Sequence, residues 1–465
     1  MKREAAQALG GRALIDEELL DEVTSLVEWP AVITGSFEEK FLALPREVLI
    51  ATMQDHQKYF PVTDAAGTEI KNYFITFANI DSRNPDEIRR GNERVIRPRL
   101  NDADFFWNRD RSVSLEQRCA QLKDVIFQQR LGTLEDKTRR VTKLAAYIAG
   151  GLQLDAAPAQ RAAQLAKCDL FTEMVGEFPE LQGVMGRYYA VHDGEPEEVA
   201  LALDEQYLPR FAGDAIPASG AGRVLALADK IDTLTGIFAI GQAPTGDRDP
   251  FGLRRAALGC VRILVEAGLD LDLTECLQQA AGGYAGDINA AAVVDEVYDF
   301  MLERLRRYYL DEGIRADVFE AVLNRRPARP YDFHQRIHAV TAFTLLPEAQ
   351  SLAAANKRIR NILKQSEETP PASIDAALLQ EPAEQALVEA LETTAAAVQP
   401  LLQCNDYTRA LKELAGLRDK VDAFFDNVMV MSEDRSLKMN RIAVLQRLSD
   451  LFLSIADISR LQSES

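Results

Sequence analysis

The sequence predicts a mainly α, multidomain protein whose N-terminal part is an α/β segment. Three observations carry this reading. A chain of 465 residues exceeds what one hydrophobic core supports, so two to four domains are expected. Short runs rich in aromatic and β-branched residues fall between about residues 29 and 80. Beyond about residue 85 apolar residues recur at helical spacing almost without a break.

In the N-terminal segment, WPAVITGSF and KFLAL are short runs bounded by turn or charged residues. Pro45 opens PREVLIATMQDH, and proline suits the first position of a helix. QKYFPVTD and NYFITFANI are joined by a loop containing Ala65-Ala66-Gly67, the pattern of a hairpin. Further on, Leu134, Val141, Leu144 and Ile148 share one helix face. At DPFG, Asp249 is placed to cap a helix whose first turn takes Pro250. The breaker-rich stretch KQSEETPPASID at 364–375 interrupts the helices, and amphipathic patterns resume to the end.

Composition narrows the function classes. No apolar run approaches the length that crosses a bilayer. The first residues, MKREAAQALGGRALIDEELLDEV, hold no signal-peptide core, which makes the cytoplasm the expected location. Five cysteines are scattered without a C-x-x-C pair, against both a disulfide framework and a zinc ribbon. With only four histidines, there are few ways to build a transition-metal site. The net charge of −19 speaks against wholesale nucleic-acid binding. Steering depends on where charges lie, however, and an acidic chain can carry a basic face.

One candidate chemistry is an HD-type metal-dependent phosphohydrolase. Its site needs a histidine, a His-Asp pair on a helix and a distant aspartate converging on a divalent metal. KCDL at 167–170 sits where the pair is expected, but Cys168 holds the histidine position. No histidine between His56 and His192 supplies the first ligand. Asp169 and Asp229 alone make a poor version of the site, so a degenerate site without metal is expected. His192-Asp193 is followed by Gly-Glu-Pro and reads as a helix end. His334 and His338 in HQRIH share a helix face, but Gln335 cannot act as a base and Arg325, Arg326, Arg329 and Arg336 disfavour a cation. A solvated or RNA-facing surface is the better reading of that pair. Phosphate-loop and nucleophile-elbow motifs are absent, so any ATP chemistry is expected in another chain.

Local basic stripes are the positive signal. ANKRIRNILKQ at 355–365 holds four basic residues and no acid. Lys357, Arg360 and Lys364 fall on one helix face, with Ile359, Ile362 and Leu363 on the buried side. A second acid-free stretch, at 435–449, contributes Arg435, Lys438, Arg441 and Arg447. A third stripe, at 89–100, has five arginines against one glutamate and includes Arg94, Arg97 and Arg99. Singly each reads as a solvated face; three in an acidic chain point to an anionic RNA backbone. HQKYFPV at 56–62 has a composition suited to stacking on unpaired bases, although packing explains Tyr59 and Phe60 equally well.

The ordered segments LIDEELLDEVTSLVEWPAVITGSFEEKFLALP, GNERVIRPRLNDADFFWNRD, FQQRLGTLEDKTRRV, KCDLFTEMVGEFPELQGVMGRYYA, ADKIDTLTGIFAIG, DPFGLRRAALG, AANKRIRNIL and DAFFDNVMVM together resemble the β subunit of bacterial glycyl-tRNA synthetase. The resemblance spans essentially the whole chain. It implies an assembly of two α and two β subunits, with ATP, magnesium and the adenylate-forming site in α. It implies that the β chain binds tRNA(Gly) and carries no catalytic residue, metal or cofactor of its own. It also implies a partial α/β domain over 1–120 and an HD-like helical domain over 121–270. A helical connector over 271–350 and an anticodon-binding domain over 351–465, similar to that of arginyl-tRNA synthetase, complete the chain. ANKRIRNIL matches the opening helix of that last domain, making Lys357, Arg358, Arg360 and Asn361 candidate anticodon-arm contacts with Lys364 beside them. The family's chain is longer at its N-terminus, so Met1 reads as a start within a longer polypeptide.

Overall fold

The computed structural model describes residues 2–284, 286–366 and 368–462. The chain forms two compact units, residues 1–232 and 233–465. The division falls inside the 121–270 span.

The first unit opens on an antiparallel sheet of β1 (Arg12–Ala13), β2 (Ala31–Ser36), β3 (Phe60–Thr63) and β4 (Ile70–Ala78), in the order β1-β3-β4-β2. β3 and β4 make the expected hairpin, with Phe60 opposite Ile75 and Pro61 opposite Phe74. Its turn is held by Asp64, whose carboxylate accepts the amides of Thr68 (2.8 Å) and Glu69 (3.2 Å). Gly67 adopts a φ of 85° there, a conformation that favours glycine. One side of the sheet packs Phe60, Val62 and Ile75 with Ala6 and Leu19. On the other side Phe74 stacks on Tyr59 at 4.5 Å. Tyr59 in turn donates its hydroxyl to Asn92 Oδ1 (2.7 Å) on the Pro85–Asp110 helix. Tyr59 and Phe60 are thus core residues, and the base-stacking reading of HQKYFPV is not supported.

KFLAL falls on a 3-10 turn, Glu39–Ala43. Its buried residues Phe41 and Leu44 are three apart, the spacing such a turn places on one side. Gly35 lies opposite Phe74 in β2. A Cβ there would sit 2.2 Å from Phe74 Cζ, so the ring lies directly over the glycine. Gly35→Ala is expected to cost about 1–3 kcal/mol through forced ring movement. Urea unfolding reads this as a lower midpoint; an unchanged midpoint would show that the ring has room to yield.

The rest of this unit is helical. Thr133 and Asp136 form a capping box that starts the Leu134–Gly151 helix. Leu134, Val141, Leu144 and Ile148 are all buried on one face of it, as expected. Alanines at 159, 162 and 163 bury the neighbouring Ala156–Leu165 helix, allowing close approach.

The second unit is helical among its described residues. The Leu253–Glu266 helix starts where Asp249 accepts the amides of Leu253 (2.8 Å) and Arg254 (2.9 Å). Asp249 caps as expected, but Pro250 lies in the preceding turn because Gly252, at φ 63°, redirects the chain first. Buried rings of Tyr298, Tyr309, Phe319 and Phe333 fill the centre of this unit. The helices Ala349–Gln365, Pro382–Gln403 and Arg435–Leu453 follow, the first two separated by the breaker-rich stretch. Among the described residues no helix is long and apolar enough to cross a membrane.

Candidate nucleic-acid interface

The corner of the first unit that holds Asp229 is lined with ammonium groups. Lys137 Nζ lies 3.2 Å from Asp229 Oδ1 and 3.3 Å from Asp232 Oδ2. Lys167 Nζ lies 3.7 Å from the same Asp229 oxygen and 4.3 Å from the centre of the Tyr207 ring. Lys230, the third, donates to the carbonyls of Gln206 (2.9 Å) and Leu208 (2.8 Å). Burial opposes ionisation of Asp229, but Lys137, Lys167 and Lys230 outweigh it and hold the carboxyl well below the ordinary range. A carboxylate compensated by three cations is a poor ligand for a fourth. Cys168 is wholly buried, and its hydrogen bond with Cys119, together with burial, pushes its thiol up. A thiol that keeps its proton does not ligate metal. These residues do not fit the metal of an HD site. Among the described residues, no group of three or more His, Cys, Asp or Glu is placed to hold an ion.

Asp169 Oδ2 accepts the Gly183 amide at 2.6 Å, while Oδ1 finds no partner among the described residues. Burial pushes this carboxyl up from 3.8 to about 6. The protonated form therefore favours the fold. That stability is fully present below about pH 3.8 and is lost as pH rises through about 6. Asp169→Asn is expected to remove a decline of about 3 kcal/mol over this window. Denaturant unfolding at several pH values checks it, and parallel curves for both chains would contradict it.

The two histidine motifs are structural. His192 ends the Val184–His192 helix and accepts from Arg111 Nε (3.2 Å), while Asp193 accepts the Leu115 amide (2.8 Å). His334 lies against His338, with ring centres 4.3 Å apart, and its Nδ1 is 3.0 Å from the Tyr309 hydroxyl. Burial, aided by His338, lowers His334 to about 4, so it is neutral near pH 7. Arg326, Arg329 and Arg336 are paired with Asp299, Asp270 and Asp332 at 2.9, 2.9 and 2.8 Å. HQRIH thus lies on a partly solvated surface, with His338 exposed and His334 and Arg336 half-buried, and its neighbouring arginines are largely paired with carboxylates.

The Ala349–Gln365 helix buries Leu352, Ala353, Asn356 and Ile359 and turns Lys357, Arg358, Asn361 and Lys364 outward. Neither lysine has an ion pair among the described residues. Arg358 stacks its guanidinium on Phe425, 4.3 Å from the ring centre. Arg360 is half-exposed and bound to Asp457 (3.1 Å) and Ser459 (3.3 Å). On one flank Asn324, Arg325, Asn356, Arg360, Lys364 and Gln446 help line a cavity of about 330 Å³. On the other, Lys357 borders one of about 620 Å³ with Arg315 and Arg460. The sequence reading missed Asn324, Arg315, Arg460, Phe425 and Gln446, which reach this helix from distant segments.

The second stripe divides. Arg435 is exposed and paired with Glu368, and Lys438 is half-buried near the same carboxylate. Arg441 is a correction: it lies in the core, where its Nε donates to Glu384 and its Nη1 donates to the Met429 carbonyl (2.8 Å). Burial and two committed donors remove it from any RNA-facing surface. The third stripe lies in the first unit. Arg94, Arg97 and Arg99 are exposed, with Arg97 paired to Glu38 (2.8 Å) and Arg99 to Glu177 (3.6 Å).

Residues 1–324 match the family model described as glycyl-tRNA synthetase beta subunit. Residues 352–458 match that of the DALR anticodon binding domain. The chain is similar to the glycine–tRNA ligase beta subunit of Tolumonas auensis, 55% identical over 458 residues, 98% of this chain and 66% of the relative. The corresponding protein of Chromohalobacter salexigens is 56% identical over 450 residues, 97% of this chain and 65% of that relative. The Vibrio cholerae protein is 54% identical over 460 residues, 99% and 67%. The chain thus spans about two thirds of the length of these relatives.

Proposed function

The chain belongs to the glycyl-tRNA synthetase beta-subunit family, and on that premise we propose that it binds tRNA(Gly) and positions it for an active site on an α subunit. In this reading it works in the cytoplasm within an α2β2 assembly. ATP and magnesium act in α, and this chain contributes to ligation by holding the RNA. The domains are assigned as an α/β part over 1–120, an HD-like helical part over 121–270, a connector over 271–350 and an anticodon-binding part over 351–465.

One observation carries the proposal: the outward cationic face of Lys357, Arg358, Asn361 and Lys364 lies beside two cavities in the segment matched to an anticodon-binding model. Lysine and arginine there supply phosphate contacts that set register, and the cavities offer room for splayed bases. Arg360, Arg435 and Lys438 are secondary contacts, because their neighbouring carboxylates, Asp457 and Glu368, compete with phosphate. Arg94, Arg97 and Arg99 form a separate candidate contact in the first unit. The HD-type phosphohydrolase alternative has no support from the lysine-lined corner.

Titrating labelled tRNA(Gly) with the chain at graded salt tests the proposal. The expected log–log slope of affinity against salt is about −2 to −3, corresponding to three or four phosphate contacts. No binding at low salt would contradict it.

A further inference from the structure

Two thiols from separate segments meet in the helical part of the first unit. Cys119 begins the Cys119–Asp124 turn and Cys168 the Cys168–Phe171 turn, and their Sγ atoms are 3.0 Å apart. The segments are fastened to each other independently of the sulfurs. Arg118 donates to the Phe171 carbonyl (2.9 Å) and to the Asp110 carbonyl (2.9 Å), spanning the same seam. Access is unequal, because Cys168 is buried and Cys119 partly exposed. Protonation is unequal as well. The hydrogen bond from Cys168, opposed by burial and aided by Arg161, lowers the Cys119 thiol, while the same bond and burial raise that of Cys168. The accessible sulfur is therefore the nucleophile, and the buried one keeps the proton.

We propose that Cys119 and Cys168 form a peroxide-reactive pair that closes to an intrachain disulfide, a modification site distinct from the RNA-binding face. The Cys119 thiolate attacks one oxygen of hydrogen peroxide, the O–O bond breaks, and Cys119 becomes a sulfenic acid while the leaving hydroxide takes up from solvent the proton that Cys119 had shed and becomes the first water. The Cys168 sulfur then attacks the Cys119 sulfur and the S–O bond breaks. The Cys168 proton joins the departing oxygen as water. Two thiols are oxidised and one peroxide is reduced to two waters. Only about 1 Å of approach separates the observed contact from a disulfide bond. Closure pins the Cys119 and Cys168 turns together and raises the melting temperature by about 5 °C.

The test uses the full chain carrying Cys404→Ser, so that this exposed thiol does not link molecules. Hydrogen peroxide followed by non-reducing peptide mass spectrometry is expected to yield one linked pair, Cys119–Cys168, reversed by dithiothreitol. In the chain with Cys404 restored, Cys119 should oxidise at least about tenfold faster than Cys404. A Cys168→Ser chain should trap dimedone at Cys119, whereas Cys119→Ser should give neither adduct nor link. The proposal is overturned if both thiols remain open to alkylation after peroxide, or if Cys119 proceeds to sulfinic acid while Cys168 stays a thiol.

Discussion

Changing Lys357, Arg358 and Lys364 together to glutamate is expected to weaken tRNA(Gly) binding roughly 100-fold near physiological salt and to flatten the salt dependence by two to three contacts' worth. The direction follows from geometry. Both lysines point outward without ion pairs among the described residues, so their charge is available to phosphate. Arg358 is stacked on Phe425, which reduces the entropy lost on contact. None of the three side chains is buried, so the helix should remain folded, and circular dichroism is the control. Filter binding or fluorescence anisotropy at several salt concentrations reads the effect. Unchanged affinity would instead make this chain an interaction scaffold for α.

Arg441→Ala is expected to have a large effect of a different kind, about 3–5 kcal/mol of lost stability in the second unit. Arg441 and Glu384 are each almost fully buried. Glu384 also accepts the amides of Gln380 (2.8 Å) and Glu381 (2.9 Å), so its carboxylate anchors the start of the Pro382–Gln403 helix. Without Arg441 that charge stays buried and uncompensated, and the Met429 carbonyl loses its donor. Replacing both residues, as Arg441→Met with Glu384→Gln, should cost less than Arg441→Ala alone. Urea unfolding measures the ordering. Under conditions where Arg441→Ala remains folded, tRNA affinity should match the parent. Selective loss of affinity without loss of stability would return Arg441 to the RNA-binding face.

The contrast between these residues shows what the sequence made legible. The β3–β4 hairpin was readable because its strands are rich in aromatic and β-branched residues and its turn contains Gly67. The Ala349–Gln365 face was readable because apolar and basic residues separate at helical spacing within one segment. The mainly helical class with an N-terminal α/β region and a C-terminal DALR domain also agrees with the family models. Arg441 was not readable, because an acid-free stretch looks solvent-facing and its partner Glu384 lies far away in the chain. That Cys168 stands where an HD site would want histidine was visible in the sequence, whereas the cluster of ammonium groups around Asp229 was not. Lys137, Lys167 and Lys230 come from three separate segments and are brought to one corner only by the fold. KFLAL was ambiguous for a simpler reason, since five residues are too few to separate a turn's period from a strand's.

The central claim is that this chain recognises tRNA(Gly) through the Ala349–Gln365 helix and its flanking cavities. Photo-crosslinking tRNA(Gly) carrying reactive bases in the anticodon loop, followed by peptide mapping, tests it most directly. Crosslinks concentrated on peptides containing Lys357 to Lys364 and on the facing segments around Phe425 and Gln446 are predicted. Anticodon crosslinks that fall elsewhere on the chain, or an anticodon arm that gives none while the rest of the tRNA is bound, would contradict it.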